Sequence, residues 1–217
     1  MLNKIKKFID LSLSRKIQFI TNIYHKIKAQ IFYKFLFKDF GKGSVIKKPL
    51  FLTPEFITIG NNVFIWDHAR IEGIETEQNT LPLISIEDNV RIGQRVHITC
   101  GSDLVIGNGT VIAFDVRITD LDHEYREIGI PINKQALIQR KTKIGKNCFI
   151  GAGAKIQAGT ILGNQCIVGS NAVVTGTFPD YSVIAGVPAK IIRLYNNETE
   201  NWDKIKDSVI LPKINTQ

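Results

Sequence analysis

Large aliphatic residues return at every sixth position over long stretches of this chain. The register runs Ile59, Ile65, Ile71, then Ile86, Ile92, Ile98, then Ile106, Ile112, Ile118, then Ile138, Ile144, Ile150, Ile156, Leu162, Val168 and Val174. A period of six fits neither a helix at 3.6 residues nor a strand at 2. It is the period of a solenoid. The fifth residue of each hexad is small or β-branched, as at Val63, Ala69, Val90, Val96, Thr110, Val116, Cys148, Ala154, Thr160, Cys166 and Ala172. The second is often glycine, as at Gly60, Gly93, Gly107, Gly145, Gly151, Gly163 and Gly169. The pattern predicts an all-β fold: a triangular parallel β-helix whose coils each use about 18 residues. Each hexad turns one large and one small residue inward. Glycine is expected at the corners, where a positive φ comes at little steric cost. A single coil cannot bury its own face, so coils must stack at about 4.8 Å. About five coils are expected, preceded by an opening coil near residues 45–58.

Two insertions break the beat, one between Ile71 and Ile86 and one between Ile118 and Ile138. Loops on a rigid scaffold are where chemistry collects. The second loop opens with Asp120-Leu-Asp-His-Glu-Tyr-Arg126, the most polar stretch of the repeat body.

The chain divides into a basic arm (1–40), the repeat body (41–195, with its loop at 123–137) and a polar tail (196–217) in which a short helix is expected around residues 198–207. In the arm, Leu2, Ile5, Ile9, Leu13, Ile17, Ile20, Tyr24, Ile27, Ile31 and Phe35 recur at three- and four-residue spacing. That is an amphipathic helix, with a break expected near Ser12 or Ser14. Net charge sharpens the picture. Residues 1–38 carry nine Lys/Arg and one acid, and the rest of the chain carries nineteen of each sign, so the arm holds the whole excess of +8. Two readings of the arm stand open. It caps the open end of the solenoid against edge pairing, or it lies on an anionic membrane surface with Lys and Arg at the headgroups. Nucleic acid is not expected, because no reader module accompanies the charge. No uncharged apolar run is long enough to span a bilayer, and the start makes a poor signal peptide.

Cys100, Cys148 and Cys166 do not form a disulfide set, and two of them fall on the small inward position, as core filler suited to a reducing compartment. No Cys or His spacing suggests a metal site. His25 in the arm is expected to be solvated, and His68 to point outward.

Three features together resemble the hexapeptide-repeat acyltransferases: the hexads, the segment Ile118-Thr-Asp-Leu-Asp-His123, and the closing run Val168-Gly-Ser-Asn-Ala-Val-Val-Thr175 followed by Ala185-Gly-Val-Pro-Ala-Lys190-Ile-Ile-Arg193. The likeness is to the branch containing maltose, galactoside and xenobiotic acetyltransferases, and within it to O-acetyltransferases of bacterial surface polysaccharides. It covers about residues 41–193. It implies a left-handed winding, where the general rule for parallel crossovers predicts the right hand. It also implies acetyl-CoA as acyl donor, a sugar or glycan acceptor, a homotrimer with sites between neighbouring rods, and a cytoplasmic location that can include the inner-membrane surface.

By the same likeness His123 is the general base, with Asp120 and Asp122 as orienting candidates. Ala152, Ser170 and Thr175 would line the pantetheine arm, and Lys190 and Arg193 would meet the phosphates of coenzyme A. Tyr125, Arg126 and His97 are acceptor-binding candidates. Gly176 stands where relatives often carry a basic residue, which removes one phosphate contact. A neutral imidazole near pH ~6.5 suits proton abstraction from a hydroxyl. No Ser or Cys sits in a nucleophile motif, so direct transfer is expected. The alternatives are N-acetylation of a nucleotide-linked amino sugar and a non-catalytic scaffold.

Overall fold

The computed structural model describes residues 10–77 and 81–205. The strands fall in rotation onto three sheets of seven, nine and six strands. The first sheet runs from Asp39–Phe40 through Ile57–Ile59, Leu83–Ile86, Asp103–Ile106, Thr142–Ile144 and Ile161–Leu162 to Thr177–Phe178. The third holds Phe51–Leu52, Arg70–Gly73, His97–Cys100, Arg117–Thr119, Lys155–Ile156 and Val173–Val174. The second lies between them in sequence, from Val45–Ile46 to Ser182–Gly186, and is extended by Ala189–Asn196 and Asn201–Lys204. Every ladder between successive coils is parallel, as in Arg117↔His97 and Arg117↔Lys155. Among the described residues only the last two strands of the second sheet and one hairpin pair antiparallel.

The expected inward positions form the core. Ile59, Ile65, Ile71, Ile92, Ile98, Ile106, Ile112, Ile118, Ile144, Ile150 and Ile156 are buried, and so are all the small fifth-position residues. Both hexad residues therefore face one continuous interior, and burial of aliphatic area drives the stacking. Cys148 and Cys166 stack there as filler, and the hydrogen bond with Cys166, together with burial, pushes the Cys148 thiol up.

Ile138 does not belong to this register. It is half-buried on Leu137–Gln139, which pairs with Leu121–His123 as a hairpin stem. The coil resumes only at Thr142–Ile144. Counting Ile138 as a coil position would assign every later hexad one face too far on.

The glycines also act differently from expectation. The left-handed corner residues include Asn62, His68, Asn89, Arg95, Gly109, Asp115, Asn147, Gly153, Gln165 and Asn171, each two positions after the second residue of its hexad. The second-position glycines are needed instead because the next coil lies on top of them. A Cβ on Gly107 would come 2.5 Å from the carbonyl carbon of Gly145. One on Gly145 would run into the carbonyl oxygen of Gly163.

Among its described residues the arm contains one α-helix, α1 (Leu13–Ile31), with Ser12 at its N-cap, close to the expected break. The expected apolar positions at 2, 5 and 9 lie outside the described residues. Helix α1 docks through the side opposite its aliphatic stripe. Ala29 and His25 are buried, and Gln30 Nε2 donates to the carbonyls of Gly41 at 3.2 Å and Ser44 at 3.4 Å. After it, Tyr33, Phe37 and Phe40 close the end of the interior as an aromatic cluster. His25 is thus 3% exposed rather than solvated, and burial lowers its pKa. The expected helix near 198–207 is absent from its described part, where Asn201–Lys204 pairs with Arg193–Asn196. The ring contacts of Tyr181, Tyr195 and Trp202 favour a pleated surface there.

Gly145→Ala should lower stability by roughly 1–3 kcal/mol, because the stacked backbone cannot yield to a methyl group. Urea unfolding of the variant checks this, and an unchanged midpoint would show that the coils part easily at that corner.

Candidate functional site

The two insertions into the beat, and a shorter third at Gly101–Ser102, fall at one edge of the rod, where the chain passes from the third sheet to the first. Residues 74–82 lie between Arg70–Gly73 and Leu83–Ile86, Gly101–Ser102 between His97–Cys100 and Asp103–Ile106, and residues 120–141 between Arg117–Thr119 and Thr142–Ile144. The insertions touch one another. Gln139 Nε2 donates to Thr76 Oγ1 at 2.7 Å and to the Gly101 carbonyl at 2.6 Å.

Asp120 builds this edge. Its carboxylate is fully buried and accepts from the backbone N–H of Gly101 at 2.7 Å, the N–H of Ser102 at 2.9 Å and the Ser102 hydroxyl at 2.7 Å. The Cys100 thiol lies 3.4 Å from it, and burial beside that carboxylate pushes the thiol pKa up. Asp120 therefore spends its oxygens on the preceding coil, and its carbonyl accepts from Arg140 N–H at 2.7 Å. These bonds all lead away from His123.

His123 sits at the last paired position of the hairpin stem, opposite Leu137, with its side chain exposed. Asp122 turns back to accept from the His123 backbone N–H at 2.9 Å and lies 3.9 Å from Arg140. Beyond the stem, Gln135 Nε2 clips the loop by donating to the carbonyls of Glu127 and Ile130. Arg126 bonds Glu124 at 2.8 Å and stacks over Tyr125. The loop tip carries Ile128, Ile130 and Ile132, all exposed.

His97 lies apart from His123, on the outer face of the third sheet. Its Nε2 is 3.4 Å from Glu72, and its Nδ1 is 3.4 Å from Arg117. Glu72 is gripped by both Arg70 nitrogens, and that guanidinium lowers its pKa. A cavity of about 240 Å³ opens beside His97, lined by Thr99, Arg117, Thr119, Lys155 and Gln157. A wider cavity of about 700 Å³ lies under Leu36–Lys38 against Phe56 and Leu81–Leu83, without an imidazole.

The donor-side candidates fall on one side of the rod. Ala152 and Ser170 occupy successive corners between the second and third sheets, joined by a bond from Asn171 N–H to the Ala152 carbonyl at 2.9 Å. Thr175 follows the last strand of the third sheet. Lys190 and Arg193 lie on Ala189–Asn196, opposite Ala185 and Val183, and Arg193 donates to the Trp202 carbonyl at 3.2 Å. Among the described residues no group of three His, Cys, Asp or Glu side chains could hold a metal ion.

Comparison with known proteins fits these coils. The family described as "Bacterial transferase hexapeptide (six repeats)" matches residues 141–176, the stretch where the beat runs without interruption. The chain is 40% identical over 129 residues to the putative lipopolysaccharide biosynthesis O-acetyl transferase WbbJ of Escherichia coli K12, an overlap of 56% of this chain and 66% of that one. It is 33% identical over 165 residues to the probable acetyltransferase Rv3034c of Mycobacterium tuberculosis, covering 75% of this chain and 51% of that one. The chain carries the repeats of the bacterial hexapeptide transferases over residues 141–176. It spans about two thirds and about half of the lengths of those two relatives. Among solved structures, AntD, an N-acyltransferase from Bacillus cereus in complex with dTDP and 3-hydroxybutyryl-CoA, superposes with a TM-score of 0.64 at 21% identity, over 76% of this chain and 87% of that one. That likeness is one of fold.

The residues of this hexapeptide-repeat protein that sequence reasoning missed are Glu72, Arg117 and Lys155. Each lies within two positions of an inward aliphatic on the third sheet. Once hexads are assigned to faces in rotation, Arg117 and Lys155 fall in one row with His97, and Glu72 falls in the adjoining row with Thr99.

Proposed function

We propose that the chain is an acetyl-CoA-dependent O-acetyltransferase acting on a sugar hydroxyl of a bacterial surface polysaccharide. The observation that carries this is His123, held on a rigid hairpin stem at the edge where every insertion gathers, in a chain 40% identical to the relative named for lipopolysaccharide O-acetyl transfer. The rod is read as a closed, three-sided, left-handed solenoid. The division into arm, repeat body and tail is kept, with the tail strand continuing the second sheet.

In the reaction, the neutral His123 ring takes the hydroxyl proton as the oxygen attacks the thioester carbonyl. The C–O bond forms, the C–S bond breaks, and the proton passes to the departing thiolate. Asp122 is the remaining orienting candidate, since Asp120 is committed to Gly101 and Ser102. Ala152, Ser170 and Thr175 would flank the pantetheine arm, and Lys190 and Arg193 the phosphates. Tyr125, Arg126 and His97 would face the acceptor. N-acylation of a nucleotide-linked amino sugar is the second reading, favoured by the fold likeness to AntD.

The exposed His123 needs a second wall, and the outer row of the second sheet supports a homotrimer that supplies one. Phe64, Arg91, Val111, Phe149 and Ile167 follow one another in register, with Phe149 46% exposed and Phe114 beside the row. An apolar stripe of this kind marks an interface.

Helix α1 supports a peripheral place on the cytoplasmic face of the membrane. Leu13, Ile17, Ile20, Ile27 and Ile31 are 53–74% exposed along its free side, flanked by Arg15, Lys16, Lys26 and Lys28. Among the described residues no helix is long and apolar enough to cross a membrane. A helix of this composition lies in the interface, with its apolar side among the acyl chains.

His123→Ala should cut acceptor-dependent thiol release from acetyl-CoA by about 10²-fold or more with the fold retained; unchanged turnover would remove His123 from the role of base. Phe149→Asp should convert the trimer to monomers in sedimentation equilibrium, and a wild-type chain that sediments as a monomer would end the trimeric reading. Ile20→Ser combined with Ile27→Ser should weaken flotation with anionic liposomes while leaving thermal unfolding in place, because both side chains already face solvent. Equal flotation of variant and wild type would show that α1 acts only as a cap.

A further inference from the structure

The three faces of the rod turn different chemistry outward. On the third face Arg70, His97, Arg117 and Lys155 occupy a single row, each the register partner of the next. Strands in a ladder are about 4.8 Å apart. Like charges placed directly opposite one another at that spacing destabilise a sheet.

Half of the row is compensated. Glu72 holds Arg70 with both oxygens and reaches His97. The other half is not. Among the described residues neither Arg117 nor Lys155 forms an ion pair. The acid that acts on both, Asp115, is bound by two nitrogens of Arg95, at 2.7 and 2.8 Å. Arg117 rests against His97 Nδ1, and Lys155 donates to the Gly153 carbonyl at 2.7 Å. Between these two cations and His97 lies the 240 Å³ cavity, where Thr99 and Thr119 add hydroxyls and Gln157 an amide. Cations without a counter-charge, ringed by neutral donors in a concave wall, suit an oxyanion. Thr119 lines this cavity at the point where the chain leaves for the His123 stem.

We propose that this cavity is an oxyanion subsite for the acceptor, binding a phosphoryl ester or a carboxylate carried on the sugar. Calling its ligand the acceptor rests on the acetyl-transfer reading above; the binding itself does not. Such a subsite would select anionic glycans and set which hydroxyl meets His123. It would also be separate from the donor phosphates, which are assigned to Lys190 and Arg193 on the extension of the second sheet.

The test is calorimetric titration of the full chain with glucose 1-phosphate, glucuronic acid and glucose. At least one of the two anions should bind, neutral glucose should not, and saturating coenzyme A should leave that binding in place. Which anion binds identifies the source of the charge. Arg117→Gln and Lys155→Gln should each weaken it about 10-fold, the loss of one charge-assisted bond. Equal binding of glucose, displacement by coenzyme A, no effect of either variant, or no binding of either anion at millimolar concentration would each overturn the proposal. Loss of acetyl transfer with this binding intact would count against the transfer reading alone.

Discussion

The structure depends on how closely one coil lies on the next. Parallel ladders bring backbones to within one strand spacing of each other at every corner. The stacked glycines at 107, 145 and 163 mark where no side chain fits between them. That contact fixes the register, and register determines everything outside the core. Because each coil repeats the one below, an outward residue stands beside its counterparts from the neighbouring coils. Side chains far apart in sequence, such as Arg70 and Lys155, become members of one row.

The rod tolerates insertion only where it does not disturb this stack. The three breaks in the beat all fall on the same edge, so they assemble into one feature rather than three loops. Asp120 ties it together by filling the Gly101–Ser102 turn with a buried charge that accepts three bonds. A buried carboxylate is tolerable when its oxygens are satisfied in this way. The rigidity this gives to the hairpin stem passes to His123 at its last paired position. A strand pair holds a side chain more firmly than a free loop does.

The outward chemistry of each region is sorted by face. The second sheet shows an apolar row, the third a cationic row and the arm an aliphatic stripe with basic flanks. Helix α1 turns His25, Ala29 and Gln30 to the open end of the rod and leaves its aliphatic side exposed among the described residues. One element therefore both closes the core and offers a surface. Capping occupies one side of this helix and leaves the other side exposed.

The periodicity by itself determined the parallel β architecture and most of the inward residues, because a six-residue beat buries its aliphatics only when its segments stack in register. It also pointed to the second insertion as the place for chemistry, through His123. It could not show that Ile138 leaves the coil, because an isoleucine in a hairpin stem keeps the same spacing as one in the core. That single residue controls which face every later hexad occupies. The pairing of His97 with Glu72, the commitment of Asp120 to the coil before it, and the burial of His25 under α1 were likewise decided by the tertiary structure. Each depends on a contact between segments whose separation in sequence has no period, so nothing along the chain announces it.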